Sequence, residues 1–196
     1  MNIGMRNMVY NEEELKGFRE LFEVKPPSKE MQLLEKLYHK GQIIASSKSR
    51  WTELRNWIED LEEIGIDVTT EKPIDVAVDI LTALERECIE LSTVKDEYDK
   101  DNKFRISLYF CPTPRKMFVA LHDFEEEGES TIMIKVFKDV REAVDHFNKS
   151  IEFHAEDLLE RTKEYIEKAS KYIYKYGKIR KKLSAEKIIN KIKEYL

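Results

Sequence analysis

Residues 104–137, FRISLYFCPTPRKMFVALHDFEEEGESTIMIKVF, decide the fold of this chain. Within it FRISLYFC, KMFVALHDF and TIMIKVF are rich in β-branched and aromatic residues with period-two stretches, and PTPR and EEEGES separate them. That is the pattern of an antiparallel meander. If PTPR is a four-residue loop, Cys111 lies opposite Lys116, Tyr109 opposite Phe118, Ser107 opposite Ala120 and Arg105 opposite His122. If EEEGES is a six-residue loop, Phe124 meets Thr131, which sets Phe137 beside Phe118, Lys135 beside Ala120 and Met133 beside His122.

Upstream, the periodicity is helical. Asn11 and Ser28 are placed to cap two helices, the first running to Phe22 and the second carrying Met31, Leu34, Leu37 and Tyr38 before Gly41. After a short QIIAS segment, Trp51, Leu54, Ile58 and Leu61 predict a third helix ending at Gly65, and GIDVTT reads as a short strand. Pro73 opens a fourth helix whose stripe runs through Ile74, Ala77, Leu81, Leu84, Cys88 and Leu91. Downstream, apolar or small residues recur every 3.6 positions or so from Val140 to Tyr176, predicting one long helix. Ser184 caps a last one with Ile188, Ile189, Ile192 and Leu196.

The expected fold is therefore α+β: N-terminal helices, a three- or four-stranded antiparallel sheet, a long C-terminal helix and a short terminal helix. Residues 1–138 read as one helical plus sheet domain. Residues 139–196 read as a helical region with more apolar surface than a terminal extension exposes, which predicts assembly into a homo-dimer or homo-tetramer.

The 196 residues carry a formal charge of −5, unevenly spread. Residues 1–103 hold fifteen basic against twenty-three acidic side chains, whereas residues 171–196 hold nine against two. The basic tail includes KYIYKYGKIRKK, in which Lys178, Arg180, Lys181 and Lys182 follow the helix-ending Gly177. Such a cluster on an acidic protein points to an anionic partner, though cations also stabilise a helix C-terminus. Abundant Lys and Glu with only two Gln fit a hyperthermophile. No signal peptide or spanning segment is visible, so a cytoplasmic protein with no membrane partner is expected. Cys88 and Cys111 form no redox or metal spacing and read as two buried free thiols.

The register above puts Arg105, Tyr109, Lys116, Phe118, His122, Lys135 and Phe137 on one sheet face, aromatics at its centre and basic groups around them. Ile106, Leu108, Val119, Leu121, Ile134 and Val136 mark the opposite face as core. An open aromatic and basic face suits single-stranded DNA or RNA, whose bases stack on rings while cations follow the phosphates. A helix laid over the face would make the same aromatics core instead.

Catalytic signatures are lacking. CPTPR has the cysteine-then-arginine order of the tyrosine phosphatase loop, but three residues separate Cys111 from Arg115 where that loop needs five. His122, His146 and His154 have no metal-ligand spacing, and no phosphate loop or nucleophile elbow is visible. No enzyme activity, cofactor or metal is expected. The stretch from Met31 to Ile66 is similar to winged-helix regulators but runs into a helix where those have a β-wing, which leaves duplex DNA binding as an alternative.

Helices, then FRISLYF, MFVALHDF and TIMIKVF, then the helix through Tyr176: this layout resembles the archaeal ThermoDBP family, over about half the chain. The resemblance implies sequence-tolerant binding of single-stranded nucleic acid and assembly through the C-terminal region. From another class, an oligomeric scaffold or regulator using the same face as a protein interface is the alternative.

Overall fold

The computed structural model describes residues 27–95, 104–124, 129–161 and 183–196. The helix expected over 11–22 and the segment KYIYKYGKIRKK lie outside these residues. Helix α1 (Lys29–Lys40) starts where the Ser28 hydroxyl accepts a hydrogen bond from the Met31 N–H at 3.2 Å. It ends at Gly41, whose φ of 85° only glycine adopts at little cost and whose N–H donates to the Leu37 carbonyl. Strand β1 (Gln42–Ser46) follows at once. Helix α2 (Arg55–Glu63) and helix α3 (Pro73–Glu87) come next. Pro73 stands at the first turn of α3, where a missing N–H costs nothing.

Strands β2 (Ile89–Lys95), β3 (Phe104–Cys111), β4 (Lys116–Asp123) and β5 (Thr131–Phe137) complete an antiparallel five-stranded sheet of order β1-β5-β4-β3-β2. Helix α4 (Val140–Arg161) opens where the Asp139 carboxylate accepts hydrogen bonds from the Arg141 and Glu142 N–H groups. Helix α5 (Ala185–Lys193) ends the described chain.

The sheet is the middle of three layers, with a separate core on each face. On one, Leu33 and Leu37 of α1, Trp57 and Leu61 of α2, and Ile80 and Leu84 of α3 pack with Tyr109, Phe118, Ile132 and Ile134. On the other, Ile106, Leu108, Phe110, Met117 and Val119 meet Phe147 and Ile151 of α4 and Ile188 and Ile192 of α5. Two of the four apolar residues expected on the terminal helix, Ile188 and Ile192, are thus buried within its own chain, while Leu196 is exposed. Asn148 fastens the helix there by donating to the Leu183 carbonyl and accepting from the Leu183 N–H, both at 3.1 Å.

Several expectations need correction. The sheet has five strands, because QIIAS and IELSTVK both pair into it. The helix from Pro73 stops at Glu87, so Leu91 belongs to a strand. GIDVTT is a turn, closed by the Asp67 carboxylate accepting from the Thr69 N–H at 2.9 Å and the Thr69 hydroxyl at 2.7 Å. The cysteines are not free: Cys88 and Cys111 form a disulfide. The cause is β2, which pairs Ile89 with Phe110 and so leaves the preceding Cys88 opposite Cys111, with Cα atoms 4.3 Å apart. Among the described residues no helix is long and apolar enough to cross a membrane.

The disulfide closes a loop of 23 residues, and restricting the unfolded chain this way contributes about 3 kcal/mol in the chain-entropy description. Replacing Cys88 and Cys111 by Ser and Ala should lower the denaturant midpoint accordingly, with the slope little changed. Urea unfolding of the oxidised protein and the variant measures it, and equal midpoints would contradict the cross-link.

Candidate functional site

The hairpin of β3 and β4 has the register read from PTPR: Arg105 faces His122, Ser107 Ala120, Tyr109 Phe118 and Cys111 Lys116. These side chains point toward α1 and α3, and helices cover them. Tyr109 is 1% and Phe118 0% exposed, which makes them core residues and leaves no ring face for a base. Burial pushes the Tyr109 phenol up, partly offset by Ser107 and the Arg105 guanidinium.

Arg105 has its hydrogen bonds filled from inside the protein. Its Nε donates to the Ser107 hydroxyl at 2.9 Å and the Thr93 hydroxyl at 3.1 Å, and Nη1 donates to Glu85 at 3.0 Å, while Nη2 is held by Glu90. A phosphate would have to displace two carboxylates from a part-buried guanidinium. Lys116 lies with its ammonium 5.1 Å from the Tyr38 ring centre, a cation–π contact at the edge of the same layer.

Strand β5 is one residue out of the expected register. Thr131 pairs with Asp123, so Lys135 stands beside Val119 and Phe137 beside Met117. Phe124 has left the ladder, and a one-residue slip moves every side chain of a strand to the other face. Ile132, Ile134 and Val136 consequently turn toward α1 and α3, while Met133, Lys135 and Phe137 turn toward α4. Phe137 is buried against that helix, and Lys135 is exposed with its ammonium 5.4 Å from the Phe137 ring centre. The expected face is therefore divided between two sides of the sheet. Lys178, Arg180, Lys181 and Lys182 lie outside the described residues.

Two clefts are open: one of about 280 Å³ between α1 and the PTPR turn, lined by Met31, Leu34, Tyr38 and Pro114 among others, and a second against the sheet on the α4 side. α4 crosses β3, β4 and β5 and leaves a cleft of about 110 Å³ lined by Gln42, Ile44, Leu121, Met133, Lys135 and His146, among others. Ile44 and Met133, directly paired across β1 and β5, are 46% and 39% exposed. His146, Ser150 and Phe153 recur at helical spacing along α4, and Phe153 is 72% exposed. Burial and the nearby Lys135 depress the His146 pKa, so its ring enters the cleft as a neutral group at neutral pH.

Sequence reading missed this region for two reasons. QIIAS is too short for periodicity to separate a strand from a loop, and the placement of Met133 depended on the EEEGES loop. Among the described residues no group of three His, Cys, Asp or Glu side chains is placed to hold a metal ion. Comparison with protein-family models, with curated proteins and with solved structures found no match for the chain.

Two outcomes follow from this geometry. Tyr109→Ala and Phe118→Ala should each cost about 3–5 kcal/mol, the range for emptying an aromatic site in a core, and broaden or abolish the cooperative thermal transition. Calorimetry checks this; near-native stability would mean an open face.

His122 supplies the second. Its Nδ1 is buried without a hydrogen-bond partner among the described residues, and burial, Arg105 and Lys95 lower its pKa to about 4 from the usual 6.5. The unfolded chain then takes up a proton before the folded one does. Stability fully present above pH 6.5 is therefore lost progressively down to pH 4. In His122→Gln the loss between pH 7 and pH 4.5 should be smaller than in the wild type, as read from urea midpoints across that range.

Proposed function

We propose that this chain is a non-catalytic interaction module that holds a partner polypeptide on the α4 side of its sheet, along β1 and β5. The observation that carries the reading is the unspent apolar surface of Ile44 and Met133, paired side by side in the wall of one cleft. Surface hydrophobes scattered singly need no explanation, but these converge where a sheet edge and a helix face meet. An extended segment entering there gains main-chain hydrogen bonds from the β1 edge and apolar contacts from the cleft, the two sources of affinity in strand addition. Gln42, Lys135 and His146 supply polar contacts around it.

A second reading is single-stranded nucleic acid along the same side. It is favoured by one feature, the exposed Lys135 stacked over Phe137 beside the cleft.

One pair of titrations separates the readings. Peptides selected from a displayed random library should bind the wild type and lose at least tenfold in affinity to Met133→Lys, which places a charge in the cleft. Labelled single-stranded DNA and RNA should show no binding that Lys135→Glu removes. Oligonucleotide affinity that falls steeply with salt and is abolished by Lys135→Glu, with no selectable peptide, would overturn the polypeptide reading in favour of the second.

A further inference from the structure

The two edges of the sheet are finished differently. At β2 the register shifts between Glu90 and Ser92, and the intervening Leu91 carbonyl accepts a hydrogen bond from Lys191 of α5 at 3.1 Å. A bulge covered by a helix is a common way to make an edge unfit for pairing. β1 has neither device among the described residues.

The open groups of β1 follow from its hydrogen bonds to β5. The Gly41 carbonyl accepts from the Val136 N–H at 2.8 Å, and the Ser47 N–H donates to the Ser130 carbonyl at 2.9 Å. Antiparallel ladders alternate, so Ile43 and Ala45 also direct their N–H and C=O groups at β5, and Gln42, Ile44 and Ser46 direct theirs outward. The Ser46 N–H is already spent on the Ser49 hydroxyl at 2.9 Å. Among the described residues both the donor and the acceptor remain open at Gln42 and at Ile44.

We propose that a second copy of this chain occupies the β1 edge, paired antiparallel about a two-fold axis through Ile43, so that two five-stranded sheets become one of ten strands. This rests on reading the β1 side as a polypeptide-binding surface and narrows it: the polypeptide is β1 of a second copy, and a selected peptide binds there in competition with it. In that register Gln42 of each copy faces Ile44 of the other. The two pairs make four N–H···O=C bonds, use every open group of those residues and ask nothing of the Ser46 N–H. An axis through Ile44 instead would require that spent N–H and would set Lys40 against Lys48 of the other copy. With the axis at Ile43 the two lysines are apart, and each is already neutralised in its own chain, Lys40 by Asp60 and Lys48 by Glu129.

The side chains agree with the backbone. Gln42 and Ile44 both point to the α4 side, and a two-fold axis perpendicular to the sheet keeps the two clefts on one face. The Ile44–Met133 pair of each copy then joins the other in a single strip. Apolar surface that one chain leaves in water is buried by two.

Sedimentation of the full chain gives the first readout. The wild type should be a dimer at micromolar concentration, and Ile44→Lys, which alters an exposed side chain outside both cores, should be a folded monomer whose cooperative thermal transition no longer depends on protein concentration. The second readout fixes the register. An oxidised mixture of Gln42→Cys and Ile44→Cys chains should cross-link in pairs, because directly opposed residues lie about 5.5 Å apart between Cα atoms. Either variant alone should not. Cross-linking of Ile44→Cys with itself, a monomeric wild type, or a dimer indifferent to Ile44→Lys would each overturn the proposal. A monomeric wild type that still selects peptides sensitive to Met133→Lys would leave the interaction surface standing without the self-pairing.

Discussion

The alternation of side chains along β3 and β4 is the constraint on which the rest of the structure depends. Each strand contributes to two cores at once: Tyr109 and Phe118 to the layer under α1, α2 and α3, and Leu108, Phe110, Met117 and Val119 to the layer under α4 and α5. The hairpin, with β5 beside it, joins the two helical layers into one body. Because every position is committed to one face or the other, the pair cannot slip by one residue without exchanging the two cores.

This commitment explains why the polar residues of the hairpin are arranged as they are. Arg105, Ser107 and His122 share a face with Tyr109 and Phe118, so they too lie in or beside a core and must find partners there. Arg105 finds four, two hydroxyls and two carboxylates, which link β2, β3 and α3. His122 stays neutral because a second charge next to Arg105 and Lys95 in a half-buried place is costly. A cluster that looks in the sequence like a cationic platform is the polar end of a core. The disulfide ends the same layer at the opposite end of β3.

The outer strands carry weaker commitments. β5 serves the α1–α3 core through Ile132 and Ile134 while leaving Met133 and Lys135 exposed, and β1 does the same with Ile43 and Ala45 buried and Ile44 exposed. α4 is too narrow to cover five strands, and it crosses on the side of β3. The open surface therefore results from a width mismatch between one helix and a five-stranded sheet. That is the physical basis for looking to this side for a partner.

The residue sequence by itself determined the elements whose signals are local. Ser28 and Gly41 bracket α1, Pro73 starts α3, and PTPR sets the β3–β4 register, because caps and tight turns depend on residues a few positions apart. Only the tertiary structure decided the rest. Whether Tyr109 and Phe118 face solvent or helices depends on where α1 and α3 pack, and composition is the same in both cases. The partnership of Cys88 with Cys111 depends on β2 pairing with β3, and the faces of Lys135 and Phe137 turn on one residue at the end of β4. Periodicity says which side chains share a face. What covers that face is set by contacts between residues far apart in the chain.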